Sequence, residues 1–368
     1  MLSGVPAGLE LDTDFIDAEL RRRQGGYGRG GRMKIETDAV TWLTGVRLGR
    51  TMGSPLTLQV PNKDSRLDDL ERTPRIHRPR PGHADLAGSI KWLTTDCRDT
   101  LERASARETA ARTAAGAVAR CLLRSFGIEV FGFVRGMLDA VTDVDVDASN
   151  VDQLRAMRDA SDVYCPDEGV SEEIRSHIRQ AKVDKDTVGG LCEVHVFGCP
   201  IGLGSCMHFD DKLDARLAGG VMGIQAFKSV EIGLGKDVAF HTGVQVHDAI
   251  EYDQSRRDEP CLGFTRPRNH AGGLEGGMTD GMPIVVRGAM KPISTLLQGM
   301  PSVNLETKDS ERSDYERSDV WALPAASVVM ENVVGYEVAK AFLEKFGGDT
   351  MDEVGANYRS YLAMARSL

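Results

Sequence analysis

Long apolar runs are missing from this sequence. No stretch approaches the roughly 18 residues that a membrane-crossing helix needs. The opening MLSGVPAGLELDTDFIDAEL has neither the cationic nor the apolar region of a secretory signal, so a cytoplasmic protein is expected. Cysteine is scarce too: seven are present, at positions 97, 121, 165, 192, 199, 206 and 261. An odd number with no Cys-x-x-Cys spacing argues against a disulfide framework and a zinc ribbon, leaving buried, inert thiols. His195, His208, His241, His247 and His270 show no ligand spacing, and no metal is assigned. Prolines number only 14, so the chain is not linker-rich, and 41% hydrophobic with 27% charged residues excludes disordered and fibrous classes.

Glycine is abundant instead: 40 of 368 residues, without a Gly-X-Y period, which implies many close backbone approaches. Forty-five Lys and Arg stand against 55 Asp and Glu, a formal charge of −10, so the chain as a whole should repel nucleic acid and anionic membranes. The cations are nonetheless clustered. Arg21 to Lys34 holds six and no acid; Arg72 to Lys91 holds five, with two histidines and the single acid Asp85. A local cationic island on an acidic protein suits a small polyanionic ligand.

Residues 12–23 are predicted as an amphipathic helix with Thr13 or Asp14 as N-cap and Phe15, Ile16 and Leu20 buried, ending in three arginines. Strands are expected at 39–43 and at Leu56, Leu58 and Val60, with a polar loop over 62–82. A long helix is predicted over 102–126, with Ala111, Ala115, Val118 and Leu122 on one narrow face that implies close helix packing. Then come a strand at 128–134, an acidic stretch 143–186 read as peripheral, and a strand at 192–197. A helix over 211–230 carries Leu213, Leu217, Val221 and Ile224, and a strand at 283–288 follows. The last helix opens near Pro324 and stops before Gly347. No composition break marks a boundary, so 1–368 reads as a single α+β domain. Its two strand-and-helix halves leave room for an internal duplication, although no repeat aligns.

Gly26-Tyr27-Gly28-Arg29-Gly30-Gly31 satisfies G-x-G-x-x-G, but a dinucleotide site needs a strand before it and a helix after it, and here the order is reversed. The stretch reads as a loop presenting Arg23, Arg29 and Arg32 beside backbone N–H groups, either an anion cradle or a solvated basic loop. His83 sits among cations next to Asp85. Arg103 and Arg107 fall four apart on the predicted helix, giving either an anion site at its N-terminus or ion pairs with Glu102 and Glu108. Lys291 to Thr295 offers one cation and two hydroxyls as a phosphate clamp. Arg317-Ser318-Asp319 reads as a helix cap or as a base with a cationic neighbour.

Five blocks taken together, RRRQGGYGRGGRMKIETD (21–38), RPRPGHADLAGSIKW (78–92), ERASARETAARTAAGAVAR (102–120), GGLEGGMTDGMPIVVRGAMKPIST (272–295) and RSDVWALPAASVVMENVV (317–334), closely resemble the chorismate synthase family, in its order and over essentially the whole chain. The resemblance implies a β-α-β sandwich with helices between sheets, assembled as a homotetramer. It implies a 1,4-elimination of phosphate from 5-enolpyruvylshikimate 3-phosphate, using reduced FMN, with NADPH as a candidate flavin reductant. No nucleic acid or membrane partner is expected. By position, Arg23, Arg29, Arg32 and Arg107 would hold substrate or NADP. FMN would contact Arg103, Ala104, Ser105, Gln225, Ala226, Gly276, Lys291, Pro292, Ile293, Ser294, Thr295 and Arg317. His83 and Asp319 match the family's catalytic positions. Two departures stand out. The family's opening strand and Gly-Glu-Ser-His-Gly motif precede the point where this chain starts, which suggests a trimmed N-terminus or, alternatively, an impaired homologue. Trp321 stands where a small residue is common.

Overall fold

The computed structural model describes residues 1–29, 37–62, 68–313 and 319–368. The helices that matter here are α1 (Thr13–Gln24), α2 (Asp85–Lys91), α3 (Arg98–Arg103), α4 (Thr109–Arg124), α5 (Val151–Ala160), α6 (Glu168–Val183), α7 (Leu213–Met222) and α8 (Leu323–Phe346). The strands are β1 (Thr41–Thr44), β2 (Thr57–Gln59), β3 (Glu129–Met137), β4 (Ala140–Val141), β5 (Gly190–Phe197), β6 (Phe227–Ile232) and β7 (Ile284–Met290). Five of them form one antiparallel sheet in the order β4-β3-β5-β7-β6, with β5 pairing Val194 to Gly132 on one side and to Val286 on the other.

Strand alternation makes both faces of this sheet apolar. Cys192, Val194 and Val196 face α8, whereas Phe131, Phe133 and Phe197 face the other way and pack with Val146, Val151 and Leu154. The stretch 143–186 thus forms α5 and α6, which lie against the sheet, with Ile174 and Ile178 fully buried. Helix α8 is apolar on nearly every side and buried along most of its length, as a helix sandwiched between layers must be. It crosses α4 at Gly116, where a Cβ would run into the carbonyl of Asn332. Beyond α4 and α1, Leu20, Ala110 and Ala114 meet Val40, Leu58 and Val60 around the β1–β2 pair. The layering is therefore α+β, with α1, α4 and α8 between a five-stranded sheet and a small second one, and α5 on the larger sheet's other face.

Three expectations change in detail. The N-cap of α1 is Asp12, whose carboxylate accepts from the Phe15 N–H at 2.9 Å, rather than Thr13 or Asp14. The alanines most deeply packed on α4 are Ala110, Ala114 and Ala117, while Ala111 is exposed. The helix predicted over 102–126 is broken. Ser105 takes an extended conformation and its hydroxyl accepts from the Arg107 N–H, starting a short 3₁₀ turn, Ala106–Glu108, before α4. Serine at such a point caps a new helix more readily than it continues an old one. Arg103 and Arg107 consequently sit on different elements. Likewise the helix predicted to reach 230 stops at Met222 with Gly223 after it, and 227–232 becomes the edge strand β6, paired to β7.

Where α1, α4, α5 and α8 meet, the core is ionic. Arg120 donates to Glu19 at 2.7 Å and to Glu331 at 2.9 Å; Arg22 reaches Glu19 at 2.6 Å and Glu331 at 3.0 Å; Arg158 reaches Glu331 at 3.4 Å. Asn332 adds an N–H to Glu19 at 2.8 Å. Burial alone would push both glutamates up, but the surrounding guanidinium groups hold Glu19 well below the usual carboxylate range and lower Glu331 too.

Candidate functional site

The glycine-rich loop after α1 is shaped by what it packs against. Gly26 has φ +102° with the Pro324 ring where a Cβ would go, and Gly28 has φ +82° with the Trp321 Cβ 3.1 Å from its own Cβ position. No other residue type accepts both the conformation and the approach. Trp321 is fully buried and donates through Nε1 to the Gly189 carbonyl at 3.1 Å, so it is the post on which the loop rests. The loop delivers Arg29 to Asp319 at 2.6 Å. Arg32 and Arg317, with Gly30 and Gly31, lie outside the described residues.

Arg23, at the end of α1, and Arg107, on the 3₁₀ turn, converge on the buried Asp38, at 3.2 and 2.6 Å. Arg23 also donates to the Thr109 hydroxyl at 2.9 Å and the Ala106 carbonyl at 3.0 Å. Burial pulls the Arg23 pKa down to about 10; Asp38 opposes this, while the positive charges of Arg107 and Arg29 add to it. Three arginines therefore share one field with Asp38, Asp319 and Glu108.

Beside them, Glu108 accepts from Arg112 Nε at 2.6 Å through one oxygen and from Gln225 Nε2 at 3.0 Å through the other. Burial raises the Glu108 pKa, but these hydrogen bonds and the charges of Arg112 and Arg103 lower it further, so it stays anionic. The next residue, Ala226, holds the left-handed φ of +69°, uncommon for a residue with a side chain, and its carbonyl accepts the Lys291 N–H at 2.9 Å. Lys291 Nζ and the Ser294 hydroxyl both bond the Gly82 carbonyl. Burial, then the neighbouring charge of Lys228, lowers the Lys291 pKa.

Gly82 leads to His83, whose Nδ1 contacts Asp85. Arg80 donates to Asp85 from Nε at 2.8 Å and to the Thr295 hydroxyl from Nη1 at 2.8 Å. Asp85 is fully buried, which favours its neutral form, yet the hydrogen bonds from His83 and Arg80 keep it well below the ordinary carboxylate range. Arg103 and Ala104, with Ala84, Lys91, Trp92 and Thr100, wall a hollow between α2 and α3. The Ile293 carbonyl accepts from Thr187 at 2.6 Å, and Pro292 is exposed.

The contacts thus run without a break from His83 through Lys291, Ala226, Gln225 and Glu108 to the Arg23 and Arg107 pair. Gly276 stands apart from this run among the described residues: it lies in the tight turn between Leu274–Glu275 and Met278–Thr279, near the start of α7. Sequence reasoning did not single out Asp38, Glu108 and Lys228 as parts of the site. Asp38 and Glu108 lie inside basic blocks where acids are few, which is itself a signal; Lys228 carried none.

A family model described as chorismate synthase matches residues 1–343. Proteins named chorismate synthase from Desulforamulus reducens and Geobacter sulfurreducens are each 48% identical to this chain over 377 residues, covering all of it and 96% and 95% of their own lengths. A chorismate synthase 1 of Bacillus cereus is 47% identical over 379 residues, covering all of this chain and 95% of its own. A crystal structure of chorismate synthase superposes with a TM-score of 0.79 at 37% identity, over 100% of this chain and 93% of that one.

Proposed function

The chain belongs to the chorismate synthase family, and from that premise we propose that it converts 5-enolpyruvylshikimate 3-phosphate to chorismate by 1,4-elimination of phosphate and a ring proton. It is a carbon-oxygen lyase of the shikimate pathway, working in the cytoplasm and serving aromatic amino acid biosynthesis. The observation that carries this reading is the gathering of Arg23, Arg29 and Arg107 in one field, with Arg23 and Arg107 sharing the carboxylate of Asp38. A substrate with two carboxylates and a phosphate, the latter alone about −1.5 to −2 at neutral pH, needs such a convergence of guanidinium groups.

The residues present also fit FMN. Gln225 Oε1 is a buried acceptor with no partner among the described residues. Arg103, Lys291, Lys228 and Ser294 are donors suited to a phosphate monoester. Reduced flavin, when bound, supplies electron density that eases departure of the phosphate and recovers it afterwards, so no net oxidation results. Asp85 and Arg80 pin the His83 ring in orientation. Arg29 anchors Asp319, which moves the ring proton. Arg107 and Arg23 hold the substrate anions, and Asp38 keeps the two guanidinium groups together. NADPH serves as the flavin's reductant, and the assembly is a homotetramer.

The test mixes protein, photoreduced FMN and 5-enolpyruvylshikimate 3-phosphate without oxygen. Chorismate and phosphate should appear in equal amounts. Their absence, both from this chain and from a version carrying an upstream Gly-Glu-Ser-His-Gly segment, overturns the reading.

A further inference from the structure

Gln225 joins the last turn after α7 to the edge strand β6, and its amide has two unlike ends. Its Nε2 lies 3.0 Å from one oxygen of Glu108, whose other oxygen is occupied by Arg112. Its Oε1 is buried and has no hydrogen-bond partner among the described residues. A carboxylate only accepts, so an amide beside it must turn its NH₂ inward and its oxygen outward. Leaving a buried acceptor unpaired is unfavourable, and such an atom in a functional cleft marks the place of a missing donor. The surroundings agree: Ala226 holds a left-handed φ that fixes the backbone at this point, and Arg103 is close enough to act on Glu108.

We infer that Glu108 is a positioning residue: it sets the Gln225 amide so that Oε1 accepts a hydrogen bond from an N–H or O–H of the bound flavin. The inference rests on the FMN reading above and adds what neither composition nor family position supplies, namely the direction of the hydrogen bond and the residue that enforces it. Replacing Glu108 by glutamine keeps the shape but gives the neighbour an NH₂ of its own. Gln225 can then turn over to accept from it, presenting NH₂ to a ligand that also donates. Glu108→Gln should therefore harm flavin binding at least as much as removing the Gln225 amide.

FMN, oxidised and photoreduced, is titrated into the full chain and followed by flavin fluorescence and calorimetry. Gln225→Ala should weaken binding about tenfold, and Glu108→Gln by that much or more. The double variant should be no worse than Glu108→Gln alone, because the two residues act as one unit. Thermal melting checks folding, and Gln225→Met, which keeps the volume, replaces the alanine variant if that one loosens the turn. Repeating the titration with lumiflavin, which lacks the ribityl chain, separates a ring N–H from a ribityl hydroxyl as the donor. Wild-type affinity in Glu108→Gln, or penalties that simply add in the double variant, overturns the inference. Failure of the unaltered chain to bind FMN at all overturns instead the flavin reading beneath it.

Discussion

Two arginine clusters grow from successive residues of the same helix and end in opposite conditions. Glu19, Arg22, Arg120, Arg158, Glu331 and Asn332 close on themselves, and Asp159 completes the balance by pairing with Arg158 at 2.8 Å. One residue along from Arg22, Arg23 and its companion Arg107 share a single carboxylate, with Arg29 nearby. Arginine count alone therefore says little about binding. What separates the two is how carboxylates are shared: Arg22, Arg120 and Arg158 divide Glu19, Glu331 and Asp159 in the core, whereas Arg23 and Arg107 divide Asp38 alone.

The widest separation between the clusters should come from Glu331→Ala. It leaves Arg22, Arg120 and Arg158 to share Glu19 and Asp159, and should lower unfolding free energy by about 3–5 kcal/mol, read from urea midpoints. A loss below about 1 kcal/mol would erase the distinction. Acid acts on the same cluster. Glu19 and Glu331 have folded pKa values below their unfolded ones. Their stabilisation is thus fully present above about pH 5 and is lost as pH falls through the ordinary carboxylate range near 4 and below. Urea midpoints from pH 6 to 3 should show this slope, and it should flatten in Glu331→Gln.

The open cluster should answer differently. Arg107→Ala should weaken substrate binding by about 1.5–3 kcal/mol, roughly 10- to 150-fold in KM, with a much smaller change in stability. Anaerobic steady-state kinetics beside a melting curve reads both. An equal loss in stability would move Arg107 into the structural class. Gly116→Ala probes the helix contact the two clusters share. Overlap with the Asn332 carbonyl should outweigh the helix propensity gained, for a net loss of about 1–3 kcal/mol in urea unfolding. The smallest effect belongs to the exposed Arg50–Glu10 pair, where Glu10→Ala should cost about 0.2–1 kcal/mol by the same measurement.

Periodicity made α1, α4, β3, β5, β7 and α8 legible, because each buries a continuous face whose spacing appears in the residues themselves. The breaks were less visible. Ser105 stops one helix and starts another through a single side-chain hydrogen bond, and alanine-rich neighbours on both sides hide the change. The strand at Phe227–Ile232 follows a helix so closely that apolar residues ran together in one pattern, and only pairing with β7 decides it. For the site, the arginines and His83 stand out by charge and by family position. Their fixing partners do not: Asp38 and Arg107 are 69 residues apart, and Gln225 and Glu108 are 117 apart. The ionic core was equally hidden, since Glu19 and Arg120 sit in helices whose own sequences offer them ordinary surface roles, and the partners of Glu331 lie far from it in the chain.

Arg22 and Arg23 are successive residues of α1, so their side chains leave the helix axis about 100° apart. One points into the ionic core and the other towards Asp38 and the proposed anion site, which makes the rotational phase of a single helix common to both. Tightening or loosening the interior thus steers that proposed site through a rigid lever of one residue. A change to Glu19 or Glu331 selected for thermal tolerance would be inherited at once as a change in how the anion is grasped.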